Sequence, residues 1–299
     1  MADSGGAEGR TPPPEDARGA AGLGRGGKKS AAGPTDQKRR VQVSRTLSRL
    51  LRHQAEDAGV RLDGEGFAPL DEVLAWGPLR SLKVSLADVQ SIVGSDEKQR
   101  FALKAQPSTA PGGGGGGGSS AADWLIRANQ GHSIKLDSSS LLEPITLEGG
   151  GVPPLVVHGT YFAFWPAIVA SGGLKPMGRN HVHCSTGVPG DGGVVSGMRR
   201  DAELVVEIDV ERSLREGLRW WRSDNGVVLT EGDADAGGLV SARFFRRVTG
   251  RARDVGLLWE DGQWRADLPD GIEARVPRSK GHRGRRGGAR GERGRRVGP

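Results

Sequence analysis

The stretch Ile126-Arg127-Ala128-Asn129-Gln130-Gly131-His132 follows directly on a short apolar segment that begins at Trp124. It places a cation, two amides, a glycine and an imidazole in succession at a predicted strand end. A guanidinium can hold a phosphate through paired N–H donors, and a glycine lets the backbone come close to a ligand. The stretch therefore indicates a polar binding site. A strand end followed by a turn with merely solvated Asn, Gln and His side chains fits these residues equally well.

Upstream of this stretch, the sequence predicts a winged-helix-like unit over residues 41–135. Apolar residues at Val43, Leu47, Leu50 and Leu51 recur at helical spacing, which predicts a helix over residues 42–57 with Ser44 as its N-cap. Shorter helices are expected over 69–76 and 86–94, and paired strands over 100–104 and 124–127. Between these strands, residues 111–120 contain seven consecutive glycines and predict a flexible insertion.

Near its end the first helix carries Arg52 and His53, a cation next to an imidazole that titrates near neutral pH. A solvated helix face is the more common explanation for such a pair.

Downstream, residues 150–250 predict an α+β domain with a mixed or antiparallel sheet. Short strands are expected over 155–157, 181–183, 204–210, 218–222 and 227–230, with a helix over 161–170. A doubly wound parallel sheet needs a crossover helix between successive strands, and too few helices are predicted here to supply them. Two lobes with a cleft between them are therefore expected.

Composition restricts the class of protein further. The 299 residues include 50 glycines, 17 prolines and one cysteine, Cys184, which excludes an intramolecular disulfide and fits a reducing compartment. No apolar run is long enough to cross a bilayer or to act as a secretory signal. The sequence thus predicts a soluble intracellular protein, in the cytoplasm or the nucleus, that does not bind membranes.

The positive charge is concentrated in the two tails. Residues 1–40 carry a net charge of +3 and residues 275–299 a net charge of +9, which leaves −5 for residues 41–274. Both tails are predicted to be disordered. The C-terminal Arg/Gly tail is typical of a nucleic-acid-binding or nuclear-targeting arm, and a tail that is merely soluble is an equal alternative.

Several familiar sites are not supported by the sequence. It contains neither the glycine pattern of a dinucleotide-binding fold nor a phosphate loop for nucleoside triphosphates. His181-x-His183, with His158 and Asp191, could imitate a metal site, but such histidines more often make local hydrogen bonds. No metal is predicted.

Six motifs occur in an order that resembles the NAD-dependent RNA 2′-phosphotransferase family, which acts on spliced tRNA. They are Arg52-His53, Ile126 to Ser133, Val157-His158-Gly159-Thr160, His181-Val182-His183, Ser196-Gly197-Met198-Arg199, and Ser223-x-Asn225-Gly226-Val227-x-Leu229-Thr230. The resemblance covers residues 41–248. One motif alone would be weak, whereas all of them in order with compatible spacing are specific.

The resemblance implies a winged-helix RNA lobe and an ADP-ribosyltransferase-type lobe, with NAD and an RNA 2′-phosphate between them. The 2′-phosphate at a tRNA splice junction attacks the nicotinamide ribose and expels nicotinamide. The ribose 2″-hydroxyl then attacks the phosphorus, which leaves an RNA 2′-hydroxyl and ADP-ribose 1″,2″-cyclic phosphate. NAD is consumed as a co-substrate, RNA is the partner, and a monomer is expected.

The same resemblance assigns roles to individual residues. Three guanidiniums, those of Arg52, Arg127 and Arg199, would align and stabilise the phosphate, with His132 beside them. His53 would transfer a proton in the second step. The NAD site would be formed by His158, Gly159, Thr160, His183, Asn225 and Val227. Valine in the place of a glutamate found in many protein-modifying relatives argues against activation of a protein side chain.

Two other classes of function remain open. An ADP-ribosyltransferase acting on proteins or on nucleic-acid phosphate ends would use the same NAD lobe and stop after the first step. The pair Arg52-His53, which serves a second step, argues against it. An RNA-binding module without catalysis would leave the motifs at His158 and Asn225 unexplained.

Overall fold

A computed structural model of the chain describes residues 34–106, 119–148, 151–190 and 197–277. Residues 1–33 and 278–299 of the predicted tails, residues 111–118 of the glycine insertion, Asp191 and Ser196 lie outside this part. The helices are α1 (Pro34–Arg49), α2 (Leu70–Ala75), α3 (Gly77–Ser81), α4 (Leu86–Ser95), α5 (Ser138–Leu141), α6 (Trp165–Ala170) and α7 (Val210–Arg215).

Fourteen short strands are found in the described residues. They are β1 (Ala68–Pro69), β2 (Phe101–Ala105), β3 (Trp124–Ala128), β4 (Glu143–Ile145), β5 (Val157–Thr160), β6 (Gly173–Leu174), β7 (Val182–Cys184), β8 (Leu204–Ile208), β9 (Trp220–Arg222), β10 (Val228–Thr230), β11 (Val240–Ser241), β12 (Phe245–Gly250), β13 (Leu257–Glu260) and β14 (Gln263–Trp264). Their pairings are antiparallel. The predicted α+β class with antiparallel sheets is confirmed.

Helix α1 begins earlier than the sequence predicted and ends differently. It starts at Pro34 rather than near residue 42, so residues 34–40 are helical and Ser44 lies inside the helix. Arg39 binds the carboxylate of Asp88 on α4, at 2.8 Å, which anchors this first part of the helix. After Arg49 the chain continues as a π-helical turn, Leu50–Gln54, instead of the predicted α-helix. Such turns are rare and occur often at functional sites.

The N-terminal part packs around one apolar cluster. The buried face of α1, with Val43 and Leu47, continues into the π-helical turn at Leu50 and meets α2 to α4 and the three-stranded sheet of order β1-β3-β2. Strands β2 and β3 pair as predicted. The helix predicted over 69–76 ends at Ala75, and α3 follows at once because Gly77-Pro78 interrupts one helix and can start another.

The C-terminal part contains a four-stranded sheet, β4-β9-β10-β7, and a five-stranded sheet, β14-β13-β12-β8-β5. Mutual backbone hydrogen bonds of 2.8 Å between Val157 and Ser185 join β5 to the end of β7, so the two sheets meet there. A second large apolar cluster, which includes Trp165, Trp220 and Phe244, fills the space between them. Within the described residues, no helix has the length and apolar character needed to cross a membrane.

Several predicted boundaries in this part are wrong. Strand β5 covers Val157 to Thr160, so the motif His158-Gly159-Thr160 lies on the strand and not after it. A 3-10 turn precedes α6, which begins at Trp165 rather than at residue 161. Strand β8 ends at Ile208, because Asp209 caps α7 through a side-chain hydrogen bond to the backbone of Arg212. Strand β12, which is interior to the five-stranded sheet, was not predicted from the sequence.

Candidate active site

The segment 127–134 lies at the centre of the candidate site and connects both parts of the chain. The backbone N–H of Asn129 donates to the carbonyl of Arg100, at 2.9 Å, and that of Ser133 donates to the carbonyl of Arg52, also at 2.9 Å. The carbonyl of His132 accepts from the backbone of Asn180, in the loop before β7, at 3.0 Å. The polar side chains of this segment that the sequence singled out are buried, namely Arg127, Asn129, Gln130 and His132. A merely solvated turn is therefore excluded.

Arg52 extends from the π-helical turn with donors that are not used. Its Nε and Nη2 atoms are buried and have no hydrogen-bond partner in the described part of the chain. Burial, followed by the neighbouring cations of Arg179 and Arg100, lowers the pKa of Arg52 to about 10. Gly131 has φ +90°, and a Cβ there would lie 3.4 Å from Nη1 of Arg52. This guanidinium is a ready binding group for an anion.

His53 follows Arg52 in the same turn and is oriented by the central segment. Its Nδ1 lies 2.9 Å from the hydroxyl of Ser133, which the sequence analysis did not single out. A hydrogen bond on one ring nitrogen determines which nitrogen exchanges a proton with a ligand. The contact with Ser133 thus sets the orientation of the His53 ring.

Arg127 is held by several internal contacts. Nη1 donates to the carbonyl of Glu65, at 3.0 Å, and Nη2 donates to the carboxylate of Asp224. The guanidinium lies 4.6 Å from the ring centre of Phe67. Only Nε is buried without a partner in the described residues. Because Asp224 belongs to the C-terminal part, Arg127 also fastens the two parts together.

His132 is a neutral imidazole in this setting. It is 3% exposed, and its Nε2 has no hydrogen-bond partner within the described chain. Burial is the main cause that lowers its pKa to about 3, followed by the charge of Arg52. The predicted contribution to phosphate binding would therefore be a hydrogen bond and not a positive charge.

Further cations lie close to these groups. Arg199 is exposed and contacts the hydroxyl of Tyr161, which donates to Asp201 at 2.9 Å. The sequence analysis missed Arg179, whose pKa is lowered by burial and by Arg199, and which in turn lowers the pKa of Arg52. A signal existed, because Arg179 stands two residues before the motif that begins at His181.

Lys98 is a second missed cation. Burial, then Arg100 and Arg200, lower its pKa, and Arg199 adds to the effect. Its carbonyl accepts from the side chain of Asn225, at 2.8 Å, so this lysine lies where the N-terminal and C-terminal parts meet. The cleft between the parts therefore concentrates positive charge in a body whose net charge is negative.

The histidines predicted to hold NAD are adjacent. Nδ1 of His158, on β5, lies 2.9 Å from the carbonyl of His183 on β7. Nε2 of His183 lies 3.0 Å from the amide oxygen of Gln130. Burial holds the pKa of His183 well below its usual value. Both residues are half-buried, so a ligand in the cleft can reach these two histidines.

The other predicted NAD residues are engaged inside the protein. Gly159 leaves no room for a Cβ, which would meet Cγ of Met198 at 2.2 Å, so the glycine serves the packing of this methionine. Thr160 is 5% exposed. Asn225 accepts from Ser223, at 2.7 Å, besides its contact with Lys98. Val227 is fully buried in a small apolar cluster with Trp221.

The His-x-His pair makes hydrogen bonds rather than facing a common point. Nε2 of His181 lies 2.9 Å from the hydroxyl of Ser138, which also donates to Glu231. Nδ1 of His183 lies 2.9 Å from the carbonyl of His181. Among the residues that the structure describes, no group of three or more His, Cys, Asp or Glu side chains is arranged to hold a metal ion.

Comparison with known proteins shows which family and which relatives the chain is similar to. Residues 38–232 match the model of the RNA 2′-phosphotransferase, Tpt1 / KptA family. The chain is 41% identical to tRNA 2′-phosphotransferase 1 of Bos taurus over 221 residues, which cover 74% of this chain and 79% of the relative. It is 39% identical to the protein of the same name from Homo sapiens over 230 residues, 74% of this chain and 83% of the relative. Identity to tRNA 2′-phosphotransferase of Saccharomyces cerevisiae is 37% over 196 residues, 64% and 79% of the two chains.

Proposed function

Because the chain belongs to the RNA 2′-phosphotransferase, Tpt1 / KptA family, we propose that it removes the 2′-phosphate from the splice junction of ligated tRNA. The phosphate acceptor in this proposal is NAD, and the products are nicotinamide, ADP-ribose 1″,2″-cyclic phosphate and an RNA 2′-hydroxyl. The observation that carries the proposal is the guanidinium of Arg52, whose buried Nε and Nη2 donors have no partner among the described residues. His53 follows it in the same π-helical turn. A phosphate is a ligand that satisfies such donors.

The residues of the cleft have distinct roles in this reaction. Arg52 binds the phosphate and stabilises charge on its oxygens during transfer, with Arg199 and Arg179 close by. Arg127, which is bound to Asp224, contacts the phosphate in one of two ways. Either its Nε donates to the phosphate, or the phosphate replaces the carboxylate of Asp224 at Nη2. His53 moves the proton at Nε2 while Ser133 holds Nδ1.

NAD, when bound, supplies an electrophilic ribose carbon and nicotinamide as the leaving group. The half-buried imidazole of His158 fits a sugar hydroxyl, since a neutral ring can donate or accept a hydrogen bond. Both ring nitrogens of His183 lie at hydrogen-bond distance from protein oxygens, so this residue would contact NAD after exchange of Gln130 or would orient its neighbours. Gly159, Thr160, Asn225 and Val227 stay predicted NAD residues, but their side-chain positions allow a contribution only through the backbone or through the shape of the site. Calorimetric titration with NAD tests whether the side chain of His158 contacts NAD. His158→Ala is expected to weaken NAD binding at least about tenfold.

We further assign residues 41–135 to a winged-helix RNA lobe and residues 150–250 to an ADP-ribosyltransferase-type lobe. The two apolar clusters, one on each side of the central segment, support this division. The protein is expected to act as a monomer inside the cell, in the cytoplasm or the nucleus. The basic tails lie outside the described residues, and their role in RNA binding stays a prediction.

The proposal is tested with an RNA oligonucleotide that carries one internal 2′-phosphate. The purified chain is incubated with this RNA, with and without NAD, and both the RNA and the NAD-derived product are followed by mass spectrometry. Loss of phosphate only with NAD, together with a cyclic phosphate of ADP-ribose, is the expected result. Arg52→Ala should abolish the loss, and Arg61→Ala, a change at an exposed arginine outside the site, should not.

One alternative has support in the structure and is resolved by the same assay. The NAD side of the cleft would also serve an ADP-ribosyltransferase that acts on nucleic-acid phosphate ends. ADP-ribose that remains on the RNA at the end of the reaction would establish this alternative and remove the role of His53. If NAD is not consumed at all, both enzymatic proposals are wrong.

A further inference from the structure

A groove of about 700 Å³ runs along α1 and ends at Arg52 and His53. Its lining includes the following residues of the helix and the π-helical turn: Ser44, Arg45, Ser48, Arg49, Arg52 and His53. Other lining groups come from α4 and from the start of β2. The groove therefore opens directly into the candidate phosphate site from the N-terminal side.

Two arginines of this groove, Arg45 and Arg49, have no acidic partner in the described part of the chain. Within the described residues, Arg45 is exposed and makes no hydrogen bond or ion pair. The guanidinium of Arg49 lies 5.3 Å from the ring centre of Trp76, and no carboxylate in the described part of the chain pairs with it. By contrast, Asp96, the acid in the groove, is bound to Arg100. These arginines differ from Arg39 on the same helix, which is neutralised by Asp88.

Helix geometry arranges the free cations in a row. Arg45 and Arg49 lie four residues apart on one side of α1, away from its buried face. Arg52 follows in the π-helical turn and lines the same groove. With a rise of about 1.5 Å per residue, the row is about 10 Å long. Serine hydroxyls at Ser44 and Ser48 add hydrogen-bond donors along it. A row of uncompensated cations with hydroxyls and few apolar groups is suited to a polyanionic strand.

We infer that the groove along α1 binds the RNA strand that continues from the nucleotide carrying the 2′-phosphate. This inference rests on the proposed function, because that function places the modified nucleotide at Arg52. The sugar-phosphate backbone on one side of that nucleotide then meets Arg49 and Arg45 in turn. These contacts do not depend on base identity, so they add affinity for extended RNA without adding sequence specificity.

The test compares RNA length in the wild-type chain and in the double variant R45Q/R49Q. The probes are a dinucleotide with an internal 2′-phosphate and the same dinucleotide extended by six nucleotides on the 5′ or the 3′ side. Binding is measured by fluorescence anisotropy without NAD, at several salt concentrations. The wild-type chain should bind at least one extended RNA at least about tenfold more tightly than the dinucleotide, and the variant should lose this gain. For that RNA, the slope of log K against log salt should fall by about 1.4, since each phosphate contact of a single strand contributes about 0.7.

The matched control is R61Q/R80Q, which removes two exposed arginines that do not line the groove. It should bind every probe like the wild-type chain, and thermal unfolding should show that both variants are folded. Removal of the 2′-phosphate from the dinucleotide should be unchanged in R45Q/R49Q, because neither arginine is assigned to the chemistry.

The inference is overturned if the wild-type chain gains nothing from either extension, or if R45Q/R49Q keeps the gain. An acidic peptide whose binding is lost in R45Q/R49Q, while that variant keeps the length dependence of RNA binding, would assign the groove to a protein partner instead. These outcomes are separate from failure of the proposed function, which is read from the dinucleotide and NAD alone.

Discussion

Two arginines of the candidate site, Arg52 and Arg127, are held in opposite ways. Among the residues that the structure describes, two buried donors of Arg52 have no partner, whereas Arg127 binds a carbonyl and a carboxylate and lies against an aromatic ring. An unsatisfied buried donor destabilises the fold, and a satisfied one stabilises it. The site thus contains one arginine, Arg52, whose donors are available to a ligand, and another, Arg127, whose donors stabilise the fold.

Replacing Arg52 should give the largest effect and separate activity from stability. Arg52→Met is expected to lower the rate of 2′-phosphate removal by about 10³-fold, since a preorganised charge donor is lost. Its stability should be equal or higher, because the variant removes buried donors that have no partner. Steady-state kinetics and urea unfolding measure the two effects. A marked loss of stability would show that Arg52 is structural and would end the contrast with Arg127.

His53→Ala should lower overall turnover by about 10²-fold. The expected defect lies in the second step, so NAD should be consumed while phosphate is still present on the RNA. Single-turnover reactions that follow nicotinamide and RNA phosphate separately measure this. A block before nicotinamide release would contradict the assignment of His53 to the second step. Ser133→Ala is the matched variant and should shift the pH profile with a smaller loss of rate.

Arg127→Met should reduce stability by about 1–3 kcal/mol, because it removes the hydrogen bonds to Glu65 and Asp224. Activity should fall as well, since the two sides of the cleft lose a connection. Asp224→Asn, which removes only the carboxylate charge, should change stability by less than about 1 kcal/mol because Asp224 is more than half exposed. Urea unfolding of both variants measures these changes in the free energy of unfolding. Equal stability of Arg127→Met and the wild-type chain would remove the structural role of Arg127.

At neutral pH His132 should give the smallest effect, and its contribution to stability should show only as the pH falls. Its pKa is about 3 in the folded chain and about 6.5 in the unfolded chain, so the unfolded chain binds more protons between these values. Its stabilising contribution is therefore complete above about pH 6.5 and is lost as the pH falls. His132→Leu should reduce the slope of stability against pH in this range by up to about 1.4 kcal/mol per pH unit. An unchanged slope would mean that the imidazole is charged in the folded chain.

Much of the N-terminal part could be predicted because local patterns determine it. The spacing of Val43, Leu47 and Leu50 predicted the buried face of α1, and the apolar segment at Trp124 predicted β3. The π-helical turn could not be predicted in this way, since apolar residues at Leu50 and Leu51 fit an ordinary helix equally well. In the C-terminal part, β12 was missed because a bulge between Phe245 and Arg247 interrupts its alternation and exposes Arg246 and Arg247.

In the candidate site, too, local sequence patterns predicted which residues take part but not their surroundings. The residues Arg52, His53, Arg127 and His132 were identified because each stands in a short motif or beside one. Their environments follow from contacts distant in sequence, such as the 97-residue separation between Arg127 and Asp224. The glycine at position 159 illustrates the consequence: its motif placed it in the predicted NAD site, and the structure places Met198 against it.

The π-helical turn has a consequence for changes in chain length. A π-helical hydrogen bond reaches one residue further along the chain than an α-helical one, so Leu50–Gln54 accommodates an extra residue within the helix. Deleting one residue there would allow a continuous α-helix and would rotate the side chains on one side of the deletion by about 100° relative to those on the other. Arg52 and His53 would then turn out of the cleft, even if the deleted residue were neither of them. The number of residues between Leu47 and Ala55 is thus constrained more tightly than the identity of most of them.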